Sequence, residues 1–183
     1  MSTLTRAVST STVQLFAALL AISTAIGVVA VLIAAAMAPA NRAAQLVTDA
    51  VAEHRSLIVA VITTGATLGS LYFSEVADYV PCTMCWYQRI AMYSLAAISI
   101  TATIRRERPT AYFVVLAALG APISIYHYLI ERFPDLESGT CSASVPCNYV
   151  WFEELGFITL PLMALTAFLA VLAICLPLGK VRR

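Results

Sequence analysis

Five long apolar runs dominate this chain, at 15–38, 57–73, 90–104, 111–130 and 155–178. A helix crosses the hydrocarbon layer with about 20 apolar residues, within a range of about 17–25. The first, fourth and fifth runs meet that length as they stand. The second meets it when continued through Val76. The third meets it when Trp86 and Tyr87 are included, aromatic residues suited to the headgroup level. Lipid offers no partners to backbone N–H and C=O groups, so each span must be helical. Composition agrees, with 61% of residues hydrophobic and 11% charged, where soluble domains carry about 25% charged residues. A water-soluble globule and a disordered chain are both excluded. The net charge of +1 gives no basic footprint for nucleic acid. The expected fold class is an all-α membrane protein.

Lysine and arginine placement sets the orientation. The turn Arg105-Arg106-Glu107-Arg108 and the tail bearing Lys180, Arg182 and Arg183 read as cytoplasmic. The segment 131–154 has Arg132 as its one basic residue, among Glu131, Asp135, Glu137, Glu153 and Glu154, and reads as extracytoplasmic. The segment 74–89 falls on the same side, two spans away. The first run, with Arg6 ahead of it and Ala36-Met37-Ala38 at its end, has a signal peptide as its alternative. At about 24 residues it exceeds the roughly 7–15 of a signal h-region. Cleavage would also place Cys82 in the cytoplasm, against the charge pattern. An uncleaved helix with its N-terminus outside is the expectation.

Residues 41–55 repeat Ala43, Leu46, Val47, Ala50 and Val51 at helical spacing. They form either an amphipathic helix on the cytoplasmic surface or a plain connector. Gly65, Gly69, Ser94 and Ser99 would let spans approach closely. Pro39, Pro109 and Pro134 fall at run boundaries, where they interrupt no helix interior.

The five cysteines are Cys82, Cys85, Cys141, Cys147 and Cys175. The first four form two close pairs on the side read as extracytoplasmic, the oxidising side in bacteria. In Pro81-Cys82-Thr83-Met84-Cys85-Trp86-Tyr87-Gln88-Arg89, the first pair stands at the entrance to a span. Cys85 is near the helix start, where the macrodipole favours an anion. Arg89, four residues on, lies over the same face. Both would lower a thiol pKa, and a thiolate is what attacks a disulfide or an oxidised cofactor. The competing readings are half of a zinc site, completed by Cys141-x5-Cys147 at a spacing unusual for zinc ribbons, and an arginine that merely snorkels to the interface. A charge beside CxxC within the membrane favours function.

Cys141 and Cys147 alone would read as a structural staple worth about 2 kcal/mol. The loop 131–154 spans at most about 80 Å when extended, so this pair can reach the first. Two pairs on one side, one of them on a mobile loop, suit a thiol relay between a soluble partner and a group in the membrane. His127 sits on the cysteine side of the fourth run, where packing competes with a chemical role. Cys175 reads as a small buried apolar residue, and His54 as surface. Tyr72, Phe73, Trp151 and Phe152 read as an interface belt.

Leu71-Tyr72-Phe73-Ser74-Glu75 ahead of the CxxC motif, Tyr126-His127-Tyr128, Cys141-x5-Cys147 and Gly156-Phe157-Ile158-Thr159-Leu160-Pro161 together resemble the DsbB disulfide-bond-formation proteins, in their BdbC-like branch. The likeness covers roughly residues 56–178. The vitamin K epoxide reductase relatives place the loop cysteines ahead of the CxxC, whereas here the CxxC comes first. The resemblance implies a four-helix transmembrane bundle over 56–183; the apolar run and helical spacing before it make residues 1–55 an additional N-terminal transmembrane helix and amphipathic linker. It implies electrons entering from a thioredoxin-like DsbA-type protein and leaving to a membrane quinone, menaquinone or ubiquinone. By position Cys141 would take the mixed disulfide, with Cys147 as its mate, and Cys82 would exchange with the loop pair. Cys85 would face the quinone, with Arg89 stabilising the thiolate and the quinone oxygen. His127 matches a family histidine near the quinone. Residues 1–55 have no counterpart in the four-helix core.

These readings converge on a quinone-dependent thiol oxidase of a bacterial plasma membrane. The rivals are a structural membrane protein with static loop disulfides, a four-thiolate zinc module, and a reductase running electrons outward.

Overall fold

The computed structural model describes residues 3–141 and 145–176, with side chains from residue 10 onward. The tail residues Lys180, Arg182 and Arg183 and the side chain of Arg6 lie outside the described residues. Among the described residues six α-helices follow one another: α1 Thr3–Met37, α2 Arg42–Glu53, α3 Arg55–Glu75, α4 Thr83–Arg105, α5 Thr110–Arg132 and α6 Leu160–Cys175, with a 3₁₀ turn at Pro134–Leu136. Three are long and apolar enough to cross a membrane, over Thr10–Met37, Arg55–Glu75 and Thr110–Arg132. α4 has 23 residues, which at 1.5 Å each rise about 34 Å. α6 is a shorter apolar helix. The protein is an all-helical membrane bundle.

α3, α4, α5 and α6 form a ring in which α3 packs on α4, α4 on α5, α5 on α6, and α6 closes back on α3. α1 stands outside the ring against α6 and α2. The ring's centre is filled by Val59, Leu95, Phe113, Ala117, Phe168 and Val171. The hydroxyls of Thr63 and Ser99 meet at 3.2 Å between α3 and α4. At one end, buried Arg55 donates to Thr110 Oγ1 at 2.9 Å and Ser56 Oγ donates to the Glu107 carbonyl at 2.7 Å. These bonds hold the α4–α5 turn against the start of α3.

Several details depart from the sequence expectation. The last span is shorter than its apolar run. Leu155 (φ 54°) and Gly156 (φ 78°) form a turn closed by pairing of Glu154 with Ile158, and α6 begins only at Leu160, with Pro161 in its first turn. A turn that needs left-handed backbone cannot continue a helix. Pro122 lies inside α5 on an exposed face, a position that membrane helices tolerate. Gly65 and Gly69 are not close-contact points, since a Cβ on either would meet nothing within 4 Å. Gly120 is the close approach, where a Cβ would run into the Phe168 ring.

Residues 42–53 are a helix, not a plain connector. Asn41 caps it, accepting the Ala43 N–H at 2.8 Å. Its buried residues are Ala44, Thr48 and Ala52. The larger Leu46 and Val47 point away from the protein, 64% and 49% exposed, which leaves an apolar face free for lipid.

Candidate functional site

The site is built at the end of the bundle where α3 and α5 finish and α4 begins. Cys82 is the N-cap of α4. Its backbone is extended (φ −75°, ψ 174°) and its Sγ accepts the Cys85 N–H at 3.2 Å. That is the service a serine or aspartate oxygen usually gives a helix start. The single turn between them brings the two Sγ atoms to 2.8 Å, and both cysteines are free. From α5, His127 Nε2 approaches Cys82 Sγ at 3.6 Å and the Cys147 carbonyl oxygen at 3.2 Å. A proton on Nε2 therefore serves the sulfur and the carbonyl together. Hydrogen bonding from Cys85, then from His127, holds the Cys82 thiol well below the ordinary thiol range, against the opposing effect of burial.

Cys141 and Cys147 are joined to each other. Cys147 is buried and packs in one cluster with Cys82, Met84 and Ile130, with Cys85 and Cys141 at its edge. All four paired cysteines thus meet in one place. The last turns of α5 fasten the loop that carries the second pair. The Tyr126 hydroxyl donates to the Leu136 carbonyl at 3.1 Å and accepts the Ser138 N–H at 3.2 Å. Tyr128 donates to the Phe157 carbonyl at 3.1 Å, Thr159 donates to Glu131 at 2.6 Å, and Arg132 pairs with Glu153 at 2.6 Å. Sequence reasoning treats the loop as a flexible strap. The structure ties it at Leu136, Ser138, Glu153 and Phe157 and places Cys147 in the same buried cluster as Cys82.

On its other side α4 borders a cavity of about 410 Å³ lying between α1, α3, α4 and α6. Cys85, Gln88 and Arg89 of α4 line it, with Ser70 and Phe73 of α3 and Trp151 of the loop. Arg89 is held in place. Its Nε donates to Ser70 Oγ and its terminal nitrogen to the Ser70 carbonyl, both at 3.0 Å, and its guanidinium lies 5.3 Å from the centre of the Trp86 ring. Tyr93 adds a hydroxyl to Ser70 Oγ at 3.2 Å. The Gln88 amide nitrogen is buried and has no hydrogen-bond partner. A desolvated donor without an acceptor is costly, and here it belongs to a residue of the cavity wall. A flat ligand with carbonyl oxygens fits that donor set, with Gln88 and Arg89 beside Cys85.

The sequence-predicted residues therefore divide into two groups. Cys85 and Arg89 border the cavity, while Cys82, His127, Cys141 and Cys147 belong to the sulfur cluster behind it. His127, expected beside the quinone, stands between Cys82 and Cys147 and is not part of the cavity wall. α5 faces the start of α4 and the loop, on the side of α4 away from the cavity. Arg89 does not bond to Cys85 but to Ser70. Of the aromatic residues expected at an interface belt, Phe73 and Trp151 line the cavity, and Phe73, Trp151 and Phe152 join Tyr79 in one aromatic cluster. Phe73 is buried, its ring centre 5.1 Å from Phe152 and 5.8 Å from Tyr79, and Tyr79 stacks on Trp151 at 4.7 Å. The four-thiolate metal arrangement is not formed, because Cys141 and Cys147 bond to each other. Among the described residues, the donor group left is Cys82, Cys85 and His127, with ligand atoms within 4.8 Å of one another. Cys175 is buried near the far end of α6 and touches none of this. Sequence reasoning missed Gln88 and Ser70. Gln88 stood in the motif, but nothing local marks a side chain as unpartnered, and Ser70 is one small residue in an apolar run.

Comparison with known proteins agrees with this geometry. The family model described as "Disulfide bond formation protein DsbB" matches residues 52–178. The chain is similar to "Disulfide bond formation protein C" of Bacillus subtilis, at 43% identity over 130 residues, covering 69% of this chain and 92% of that one. It is similar to a "Probable disulfide formation protein" of Oceanobacillus iheyensis, at 42% identity over 123 residues, covering 66% and 85%. A "Probable disulfide formation protein C 2" of Bacillus anthracis is 36% identical over 132 residues, covering 72% and 94%. No solved structure matches. The matched region takes in α3 to α6 and every residue of the sulfur cluster, so the chain belongs to the DsbB family of disulfide bond formation proteins.

Proposed function

We propose that this protein is a membrane thiol–disulfide oxidoreductase that reoxidises a thioredoxin-like, DsbA-type disulfide carrier outside the cytoplasm and passes the electrons to a membrane quinone, menaquinone or ubiquinone. One observation carries the reading. Cys82 shares a buried cluster with Cys147, with His127 Nε2 between them, while its partner Cys85 borders a cavity whose wall holds an arginine and an unpartnered amide. A static structural staple needs neither the second pair nor the cavity.

The balance of the reaction follows from thiol exchange. A dithiol partner attacks Cys141–Cys147 at Cys141 and forms a mixed disulfide with it, and Cys147 leaves as the thiol. The partner's second thiol then releases Cys141, so the partner departs oxidised and the loop pair is left reduced. The loop pair next passes two electrons to an oxidised Cys82–Cys85 bridge by the same exchange, Cys147 being the member buried in the same cluster as Cys82. His127 holds a proton at Nε2 between those two residues, where it stabilises negative charge on Cys82 in either direction of exchange. The quinone, when bound, supplies a two-electron, two-proton acceptor. Arg89 and Gln88 would hold it beside Cys85 by donating to its oxygens, and would stabilise negative charge there. Phe73, Tyr79 and Trp151 line the cavity and would exclude water from their end of it. The bonds to Ser70 prevent the Arg89 side chain from swinging out.

Purified protein supplied anaerobically with a reduced thioredoxin-like protein and a quinone tests this directly. Partner oxidation matched one-for-one by quinol is the expected result. It should be abolished in Cys82→Ser and in Cys85→Ser, whereas Cys141→Ser should lose partner oxidation alone. Wild-type protein with intact cysteines that oxidises no partner at any quinone concentration would overturn the reading.

A further inference from the structure

We propose that α1, the helix outside the matched family region, is a working wall of the quinone cavity and sets which quinones enter it. This rests on the quinone reading above. Ala17, Leu20, Ala21 and Thr24 of α1 line the cavity. Their spacing of i, i+3, i+4 and i+7 puts them on one helix face. Opposite them stand Gly65, Ala66 and Gly69 of α3. Leu20 apart, small side chains thus face each other along the slot, and a Cβ added at Gly65 or Gly69 would still meet open space. A packed pair of helices would have closed that gap. Here it stays open because α1 leans on α6 and α2.

One turn before Ala17, Gln14 Nε2 donates to the Tyr79 hydroxyl at 2.6 Å. Tyr79 also lines the cavity and stacks on Trp151. α1 is therefore pinned to the aromatic cluster at the cysteine end. Its lining residues run from that cluster toward Thr24, beside Val61 and Ile62 of α3. The polar end at Arg89 and Gln88 suits the quinone ring, and the apolar end suits a prenyl tail. The volume of about 410 Å³ lies in the range of roughly 300–1,000 Å³ usual for small-molecule pockets. Family members without this helix would present the same face of α3 to lipid. In this chain the width of the slot is set by the side chains at 17, 21 and 24.

The test uses the full-length protein with Ala21→Phe, with Thr24→Leu as a milder change and Ile26→Phe as a control on the exposed face of α1. Two readouts are taken with a prenylated quinone. One is turnover with the reduced partner. The other is equilibrium quenching of the two tryptophans, Trp86 and Trp151, which both stand at the site and report binding without turnover. Ala21→Phe should raise the KM for quinone and weaken quenching, each about tenfold or more, a usual effect of filling an apolar pocket. Thr24→Leu should do so less, and thiol exchange between the partner and the loop pair should not change. Ile26→Phe should match wild type. A wild type that binds and reduces quinone, with an Ala21→Phe variant equal to it in both readouts, overturns the α1 wall and leaves the proposed function standing. A wild type that neither binds nor reduces any quinone overturns the quinone reading and this inference with it.

Discussion

At the scale of single residues, the chemistry depends on where a negative sulfur is stabilised. The motif alone points to Cys85, one turn into the helix and four residues before an arginine. The structure gives the donors to Cys82 instead, which receives the Cys85 N–H and faces His127 Nε2, while Arg89 is engaged by Ser70. Because His127 helps hold the Cys82 pKa down, removing it must raise that pKa and lower the thiolate fraction at any given pH. His127→Ala should therefore move the acid limb of the pH–rate profile for quinone-dependent partner oxidation to higher pH, with rate recovered as pH rises. Profiles that superimpose from pH 5 to 8 would remove His127 from the exchange step. Gln88 gives a second prediction with two opposite signs. Its amide is a buried donor without an acceptor, so Gln88→Leu should stabilise the ligand-free protein by about 1 kcal/mol and weaken quinone binding by a similar amount, roughly five- to tenfold in Kd. Thermal unfolding and tryptophan quenching measure the two effects. The cysteine pairs were legible in the sequence because two-residue and five-residue spacings are local facts. The partners of His127 were not, because Cys82 lies 45 positions away and joins it only through the packing of α4 on α5.

At the scale of elements, length and hydropathy gave the helices, but not which small residues bring them together. A glycine in an apolar run reads alike whether it faces a neighbour or a gap. Gly65 and Gly69 face the gap, while Gly120 accommodates Phe168. Gly120→Ala should cost about 1–3 kcal/mol, the usual price of overpacking a filled core. Phe168→Leu in the same chain should restore part of that loss, because the Leu side chain lacks the ring atoms that the new methyl meets. Chemical unfolding of the single and double variants measures the coupling. Additive losses would place the strain elsewhere than at the α5–α6 contact. α2 illustrates the reverse case. Its periodicity was visible, but the buried stripe is Ala44, Thr48 and Ala52, not the larger apolar residues. Helical spacing identifies a face and leaves open whether protein or lipid covers it.

At the scale of the whole molecule, charge separates the two ends of the bundle. Arg42, Arg55, Arg105, Arg106 and Arg108 gather where α2 and α3 begin and α4 gives way to α5, while Arg89 and Arg132 stand toward the cysteine end, where α1, with Arg6 in its first turns, also starts. Acidic residues count little in membrane orientation and lysine and arginine count most, so the five-arginine end should be cytoplasmic. Both cysteine pairs and the aromatic cluster then face outward, into the compartment where disulfides persist. A single cysteine introduced at exposed Ser138, in a chain whose native cysteines are serine, should react with a membrane-impermeant maleimide in intact cells. One at exposed Arg108 should react only after the membrane is opened. The opposite pattern would place the sulfur cluster in the reducing cytosol, where the glutathione pool would keep both pairs as thiols. The cavity and its donors would then face a relay with no oxidised carrier to recharge. Orientation is thus a physical condition of the proposed electron path, which requires both the gathering of Cys82 and Cys147 in one cluster and an oxidising compartment on their side of the bilayer.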